Sequence, residues 1–434
     1  MSTSPAPANV VDPALAARLP ELRERYAALQ SRGLSLDLTR GKPSAEQLDL
    51  SERLLSLPGE GNHHDASGTD VRNYGGLDGL PELREIFAEL LGVPTAQLLA
   101  QDNASLRLMW DTIVQALLFG VPGGDGPWSA AGPLTFVCPV PGYDRHFAIC
   151  EELGIRMVTV PMTPDGPDAE AVAALVADDP SVKGLWVVPT YANPDGSVVS
   201  EAVARRLVSM PAAAPDFRIF WDNAYAVHHL TEHETKSANA IDLAAEAGNP
   251  DRVVMFASTS KVTFAGAGVS FLASSPSNIA WFKQHLAFRS IGPDKVNQLR
   301  HATFFGDAAG VRAHMAEHRR ILAPKFAAVT SILTDRLADA SVATWTDPDG
   351  GYFVSVDVVP GTASRVVELA GEAGIKLTPA GATFPYGKDP ADRNIRLAPS
   401  MPPLDEVEVA MDGVATCVLL AAAEVAEAAT TADD

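Results

Sequence analysis

Cysteine is scarce, with only Cys138, Cys150 and Cys417 in 434 residues and none in a Cys-x-x-Cys pair. That excludes a disulfide framework and fits a reducing, cytoplasmic compartment. Positive charge is also short: 33 Lys and Arg against 54 Asp and Glu give a formal charge of −21. Such a surface repels phosphate backbones and anionic bilayers, so neither nucleic acid nor membrane is expected as a partner. No stretch approaches about 18 uncharged apolar residues, and Met1 to Pro20 lacks a basic start followed by an apolar run. Neither a spanning segment nor an export signal is expected. Apolar material is plentiful, at 47% hydrophobic residues. The length allows two to four domains at about 100–200 residues each, with a sizeable core.

Leu15, Leu19, Leu22, Tyr26 and Leu29 recur at steps of three and four and end at Gly33, which predicts an amphipathic helix over 14–33. A short strand over Leu34 to Leu38 leads into the turn Arg40-Gly41-Lys42-Pro43. From about Gly59 to Asp70 the chain turns to Gly, Asn, His and Asp, which marks a boundary. Beyond it, helical segments alternate with the apolar runs Leu134–Pro139, Arg156–Pro161, Leu185–Pro189, Arg218–Trp221, Val253–Ala257 and Val269–Ala273. Runs without period-two alternation suit strands covered on both faces, hence a largely parallel sheet in an α/β fold. A helix over 311–340, strands at 352–358 and 394–397, a helix at 363–373 and another from Leu404 predict a smaller α+β domain, with Ala428 to Asp434 as a solvated tail. The division expected is 1–65 for the N-terminal helix and part of the small domain, 66–315 for the large domain, and 316–434 for the rest of the small one.

Three motifs bear chemistry. Ser258-Thr259-Ser260-Lys261 sets a lysine among hydroxyls just past an apolar strand, as a Schiff-base nucleophile beside a phosphate cradle requires. Alone it also fits a plain surface turn. Asp222, ending the run Phe220-Trp221, is suited to hold a pyridine nitrogen protonated, with Tyr225 donating to a phenolate oxygen; a strand-end Asp can equally cap a helix. Asn193-Pro194-Asp195-Gly196 is an ordinary turn sequence whose asparagine can give that oxygen a second hydrogen bond. A competing cluster, His228, His229, Glu232, His233 and Glu234, puts His229 and His233 at helical spacing, but not as His-Glu-x-x-His; no metal site is expected. Gly266 and Gly268 lack the register of a dinucleotide loop.

In this order the three motifs are far more specific than any one. The chain resembles fold-type-I aminotransferases dependent on pyridoxal 5'-phosphate. It is most similar to the divergent aspartate aminotransferase subgroup of actinobacteria, through Leu38 to Pro43, Asp102-Asn103-Ala104-Ser105-Leu106, Trp221 to Tyr225 and Ser258 to Phe271. The resemblance implies a large, mostly parallel, seven-stranded-type sheet domain and a smaller α+β domain formed from both chain ends. It makes Lys261 the residue that forms the internal aldimine and then shuttles a proton. Asp222 would pair the pyridine nitrogen, Asn193 and Tyr225 the phenolate oxygen, and Tyr143 would stack on the ring. Asn103, Ala104 and Ser105 would offer N–H groups to the phosphate at a helix N-terminus, with Ser258 and Ser260 adding hydroxyls. Arg396 would fork onto the substrate α-carboxylate, as a planar guanidinium can and lysine cannot. Gly41, Arg40 and Lys42 lie in a loop that closes over substrate. Tyr74 resembles the tyrosine that reaches the phosphate of the neighbouring subunit, so a homodimer with shared active sites is implied.

The pattern departs at Val269, where most of the family has the arginine that neutralises the phosphate; Arg107 is one substitute. The cation for a distal carboxylate is open among Arg40, Lys42, Arg145 and Arg289. The expected reaction moves an amino group from L-aspartate to 2-oxoglutarate by a ping-pong route. The alternatives are an aminotransferase of aromatic, kynurenine or alanine preference, a lyase of the same fold, or a non-catalytic regulatory domain. The last would carry a basic DNA-binding domain ahead, which the net charge disfavours.

Overall fold

The computed structural model describes residues 12–432. Residues 1–11 and 433–434, with most of the Pro/Ala/Ser-rich start, lie outside that range. The strands are β1 (Leu36–Asp37), β2 (Leu98–Gln101), β3 (Thr135–Val140), β4 (Arg156–Thr163), β5 (Gly166–Pro167), β6 (Val182–Val187), β7 (Arg218–Asp222), β8 (Val253–Ser258), β9 (Ser270–Ser274), β10 (Ala343–Trp345), β11 (Val354–Val358), β12 (Ile375–Lys376) and β13 (Asn394–Leu397). Eight of them form one sheet in the order β2-β9-β8-β7-β6-β3-β4-β5. Neighbours from β8 to β4 pair parallel, while β9 runs against both β2 and β8. The predicted seven strands are therefore present, with the two-residue β5 added antiparallel at the edge of β4. Strands β3, β6, β7 and β8 are buried along nearly their whole length, as helices on both faces require.

A second core belongs to a three-stranded antiparallel sheet, β10-β11-β13, packed with the helices Ala308–Leu337 and Leu404–Ala432. Helix α1 (Leu19–Ser31) buries Leu19, Leu22, Tyr26 and Leu29 in that same core, and β1 pairs in parallel with β12. The α+β unit is thus built from both ends of the chain.

Several boundaries differ from the sequence expectation. The first helix opens with a 3-10 turn, Pro13–Arg18, because Pro20 lacks the N–H that would continue an α-helical ladder from it. The expected strand 34–38 shrinks to the two residues that β12 can pair. Strand β2 and the antiparallel direction of β9 were not anticipated, because an apolar run does not encode its direction. The expected solvated tail, whose residues 433–434 lie outside the described range, continues as helix to Ala432 and is exposed over 427–431. One helix, Leu404–Thr431, is after all long and apolar enough to cross a membrane by length and composition, but 78% of its apolar window is buried inside the protein.

Candidate active site

The motifs all lie at the carboxyl ends of the sheet strands, where a parallel α/β fold opens a crevice. β7 ends in Asp222, β8 runs into Ser258–Lys261, β6 leads to Asn193, and β3 leads to Tyr143. Lys261 Nζ sits 5.0 Å from the centroid of the Tyr225 ring and 6.0 Å from that of Tyr352. Burial lowers the lysine's pKa and the nearby Asp222 carboxylate partly opposes it, so the amine sheds its proton more readily than a surface lysine. Burial raises the Tyr225 phenol well above its ordinary value, with Tyr143 and Asp222 adding to the effect; Tyr225 stays a proton donor at neutral pH.

Asp222 is buried at the strand end. Its Oδ2 contacts His146 Nε2 at 3.0 Å, and its Oδ1 is buried without a protein partner. A buried acceptor left open in this way suits a cationic ring N–H. His146, on the helix that begins at Asp144, is itself stacked on Trp186 at 4.2 Å. Tyr143 stands edge-on to His146 with centroids 4.9 Å apart, close enough to Asp222 for the carboxylate to raise the pKa of its phenol.

The end of the crevice near Asn103 and Ser258 presents backbone groups and hydroxyls that could hold a phosphate. Working along the chain, helix α2 (Ala45–Asp49) and helix α3 (Pro81–Leu91) precede helix α4 (Ser105–Phe119), whose N-cap Ala104 offers no side-chain cap, so the first N–H groups remain available. Ser258 and Ser260 hydroxyls are 3.1 Å apart, and Ser260 Oγ reaches the Asn103 carbonyl at 3.5 Å. Gly268 lets these strands close: a Cβ there would stand 3.2 Å from both Asn103 O and Ser260 N. Val269 points away into the large apolar core, its amide bonded to Thr259 Oγ1. Arg107 and Arg289 both pair with Asp102, one residue before this cradle, and Arg289 Nε also meets Asp111 at 3.0 Å.

At the other end, Arg396 on β13 is buried with its guanidinium 5.0 Å over the Phe353 ring. Its Nη1 donates to Asp144 Oδ1 at 2.8 Å and to Asn193 Oδ1 at 3.3 Å. Asp144 opens helix α5 (Asp144–Glu152), and Tyr143 is its N-cap. Gly41 packs against Phe353 so closely that a Cβ would fall 2.1 Å from the ring, which leaves glycine the only fit.

Most predicted residues therefore converge: Lys261, Asp222, Tyr225, Asn193, Tyr143, Asn103, Ala104, Ser105, Ser258, Ser260, Gly41 and Arg396. Others do not. The Arg40 side chain is exposed and paired with Asp37, Lys42 is exposed, and Arg145 is exposed on α5. Arg289 is committed to the carboxylates of Asp102 and Asp111. Tyr74 is 81% exposed, in a loop whose Asn73 and Gly75 carbonyls accept from the buried Lys295 Nζ. His229 and His233 share no helix; the segment is turn and coil, and His229 Nδ1 lies 2.7 Å from Tyr191 OH. The group that the described residues do offer for a metal is His63, His64 and Asp70, and Asp70 is already paired with Arg72.

Sequence reading missed His146, Asp144 and a buried polar chain behind Lys261. Tyr352 OH donates to the Lys261 carbonyl at 3.3 Å and accepts from Gln47 Nε2 at 2.9 Å; the same amide lies 2.9 Å from His318 Nδ1. His228 is buried against Tyr225 and Tyr352, and burial, then the neighbouring Lys261, holds its pKa well below the ordinary value. The spacing of Tyr143 and His146 on one helical turn was the only signal available for the first of these.

Known proteins place the chain in a family. The aspartate aminotransferase family model, "Aspartate amino-transferase", matches residues 10–429. An aspartate aminotransferase of Corynebacterium glutamicum is 57% identical over 404 residues, 93% of this chain and 93% of its own. The crystal structure of an aspartate transaminase from Corynebacterium glutamicum superposes with a TM-score of 0.94 at 55% identity, covering 96% of this chain and 100% of that one. The α-aminoadipate aminotransferase LysN of Thermus thermophilus, at 22% identity, shares the fold with a TM-score of 0.71 over 92% of this chain and 97% of its own. The chain belongs to the aspartate aminotransferase family, with the fold-type-I architecture.

Proposed function

We infer that the protein is a pyridoxal-phosphate-dependent aminotransferase that moves an amino group reversibly from L-aspartate to 2-oxoglutarate, giving oxaloacetate and L-glutamate. The observation that carries this is Lys261, an amine made less basic by burial, set near the Tyr225 and Tyr352 rings and a buried carboxylate with one open oxygen. The residues present fit the cofactor: Asp222 for its ring nitrogen, Tyr225 and Asn193 for its phenolate oxygen, Tyr143 against its ring. Its phosphate would lie at the N-terminus of α4 with Ser258 and Ser260, where Val269 supplies no charge and the helix N–H groups take a larger share. When bound, pyridoxal phosphate supplies an electron sink for a carbanion at the substrate α-carbon.

The chain's own residues do the rest. Lys261 moves the proton at the α-carbon, a task suited to an amine whose pKa lies nearer neutrality. Asp222, fixed by His146, keeps a cationic ring nitrogen charged. Arg396, held against Phe353 and Asn193, orients the α-carboxylate, which sets the α C–H bond toward Lys261. The exposed, pinned loop at Tyr74 supports a homodimer in which each subunit's tyrosine reaches its neighbour's phosphate. Separate main apolar clusters for the sheet and for the α+β unit support the division near residues 65 and 315, and scarce buried thiols support a cytoplasmic setting.

Steady-state assays test the substrate reading. With L-aspartate and 2-oxoglutarate varied together, parallel double-reciprocal lines and oxaloacetate formation are expected. A higher kcat/KM with kynurenine, alanine or an aromatic amino acid would reject aspartate as the substrate.

A further inference from the structure

The acid beside Arg396 is the least expected feature of the site. A guanidinium that is to grip a substrate carboxylate already carries one: Asp144 Oδ1 accepts from Nη1 at 2.8 Å, and Asn193 Oδ1 shares that nitrogen at 3.3 Å. Arg396 Nε is buried and has no acceptor. One corner of the fork is thus occupied by protein while another is held open. The two side chains differ in freedom, since Arg396 is 8% exposed and Asp144 37%. Arg396 is buried over Phe353, whereas Asp144, on the first turn of α5, can turn to water and remain favoured there by the helix N-terminus.

We propose that Asp144 is a built-in competitor of the substrate carboxylate, which partly neutralises Arg396 and so weakens the binding of every amino-acid and oxo-acid substrate. The proposal rests on Arg396 being the α-carboxylate site. Its consequence is kinetic: a ping-pong enzyme must release one carboxylate before taking the next, and an acid waiting at the same cation speeds release at the expense of affinity. Asp144 reaches the substrate only through Arg396 and is a positioning residue, not a catalytic one.

The test removes the charge and keeps the hydrogen bond. In Asp144→Asn holoenzyme, KM for both L-aspartate and 2-oxoglutarate is expected to fall about three- to tenfold, as is the dissociation constant of maleate, a non-reacting dicarboxylate. The kcat should fall by less than KM. Asp144→Ser, which also suits a helix N-terminus, should move in the same direction, and cofactor absorbance and melting temperature verify that both variants fold. In an Arg396→Met background the Asp144→Asn gain should vanish. Unchanged or raised KM in Asp144→Asn, with KM raised in Arg396→Met, overturns the competitor role and leaves the Arg396 reading intact. An Arg396→Met enzyme with unchanged KM rejects the Arg396 reading itself, and the proposal with it.

Discussion

Lys261 illustrates how a single residue acquires its role from its surroundings. Burial disfavours the ammonium form, so the neutral amine that attacks an aldehyde is present at lower pH than on a surface lysine. Covalent capture of added pyridoxal phosphate by the apoprotein should therefore rise with pH and level off below 10.5, the ordinary lysine value. A rise continuing beyond that value, followed by absorbance of the lysine-bound cofactor, would contradict the shift. His146 matters through Asp222: replacing it with Phe removes a hydrogen bond to a charged group, worth about 1.5–3 kcal/mol. His146→Phe should lower kcat, loosen cofactor retention about tenfold or more, and lower the melting temperature by a few degrees. Lys261, Asp222 and Tyr225 were legible in the sequence because Asp222 closes β7 and Tyr225 and Lys261 follow the ends of β7 and β8, in a recognisable order. His146 and Asp144 were not, because what singles them out is contact with Asp222 and Arg396, 76 and 252 residues away.

Among elements, the Asp349-Gly350-Gly351 turn sets the wall of the site. A Cβ on Gly350 would stand 2.1 Å from the Tyr191 ring, so the turn can pack only as glycine, and it carries Tyr352 to Lys261 and Phe353 beneath Arg396. Gly350→Ala should cost at least about 2 kcal/mol of stability by overpacking and raise KM for both substrates, as thermal melts and initial rates would show. Near this turn, burial raises Asp195 to a pKa of about 6. A raised carboxyl favours the protonated fold, so its cost is present above pH 6 and fades as pH falls toward 3.8. Asp195→Asn keeps the acceptor for Ser197 and should stabilise the protein by about 1 kcal/mol at pH 8 but not at pH 4. Equal effects at both pH values would contradict the assignment. Two adjacent glycines mark a turn, but the Tyr191 ring that makes Gly350 obligatory is a tertiary neighbour. Likewise the absence of arginine at Val269 was readable, while the turning of that side chain into the core needed the pairing of β8 with β9.

At the scale of the molecule, the parallel sheet and the α+β unit drawn from both chain ends were legible, because buried apolar runs alternate with helices and the terminal segments carry matching apolar faces. The direction of β9, the extra edge strand β5 and the burial of the apolar Leu404–Thr431 helix were not, since strand direction and the partner of an apolar face are tertiary facts. The buried chain from Lys261 through Tyr352 and Gln47 to His318 ties the crevice to α2 and the long helix Ala308–Leu337, elements of different parts of the chain. If Tyr74 completes a neighbour's site, mixing an inactive Lys261→Ala protein with an inactive Tyr74→Ala protein should restore up to about a quarter of the sites by random pairing of subunits. No recovery after exchange of subunits would argue for self-contained sites.

Transamination divides into two halves that can be watched separately in the visible spectrum of the holoprotein. Adding L-aspartate alone should bleach the lysine-bound chromophore to the amine form, and adding 2-oxoglutarate should restore it, with Lys261→Ala failing both steps. A wild-type chromophore that neither substrate moves, or protein that takes up no pyridoxal phosphate at all, would contradict the assignment of this crevice to amino transfer.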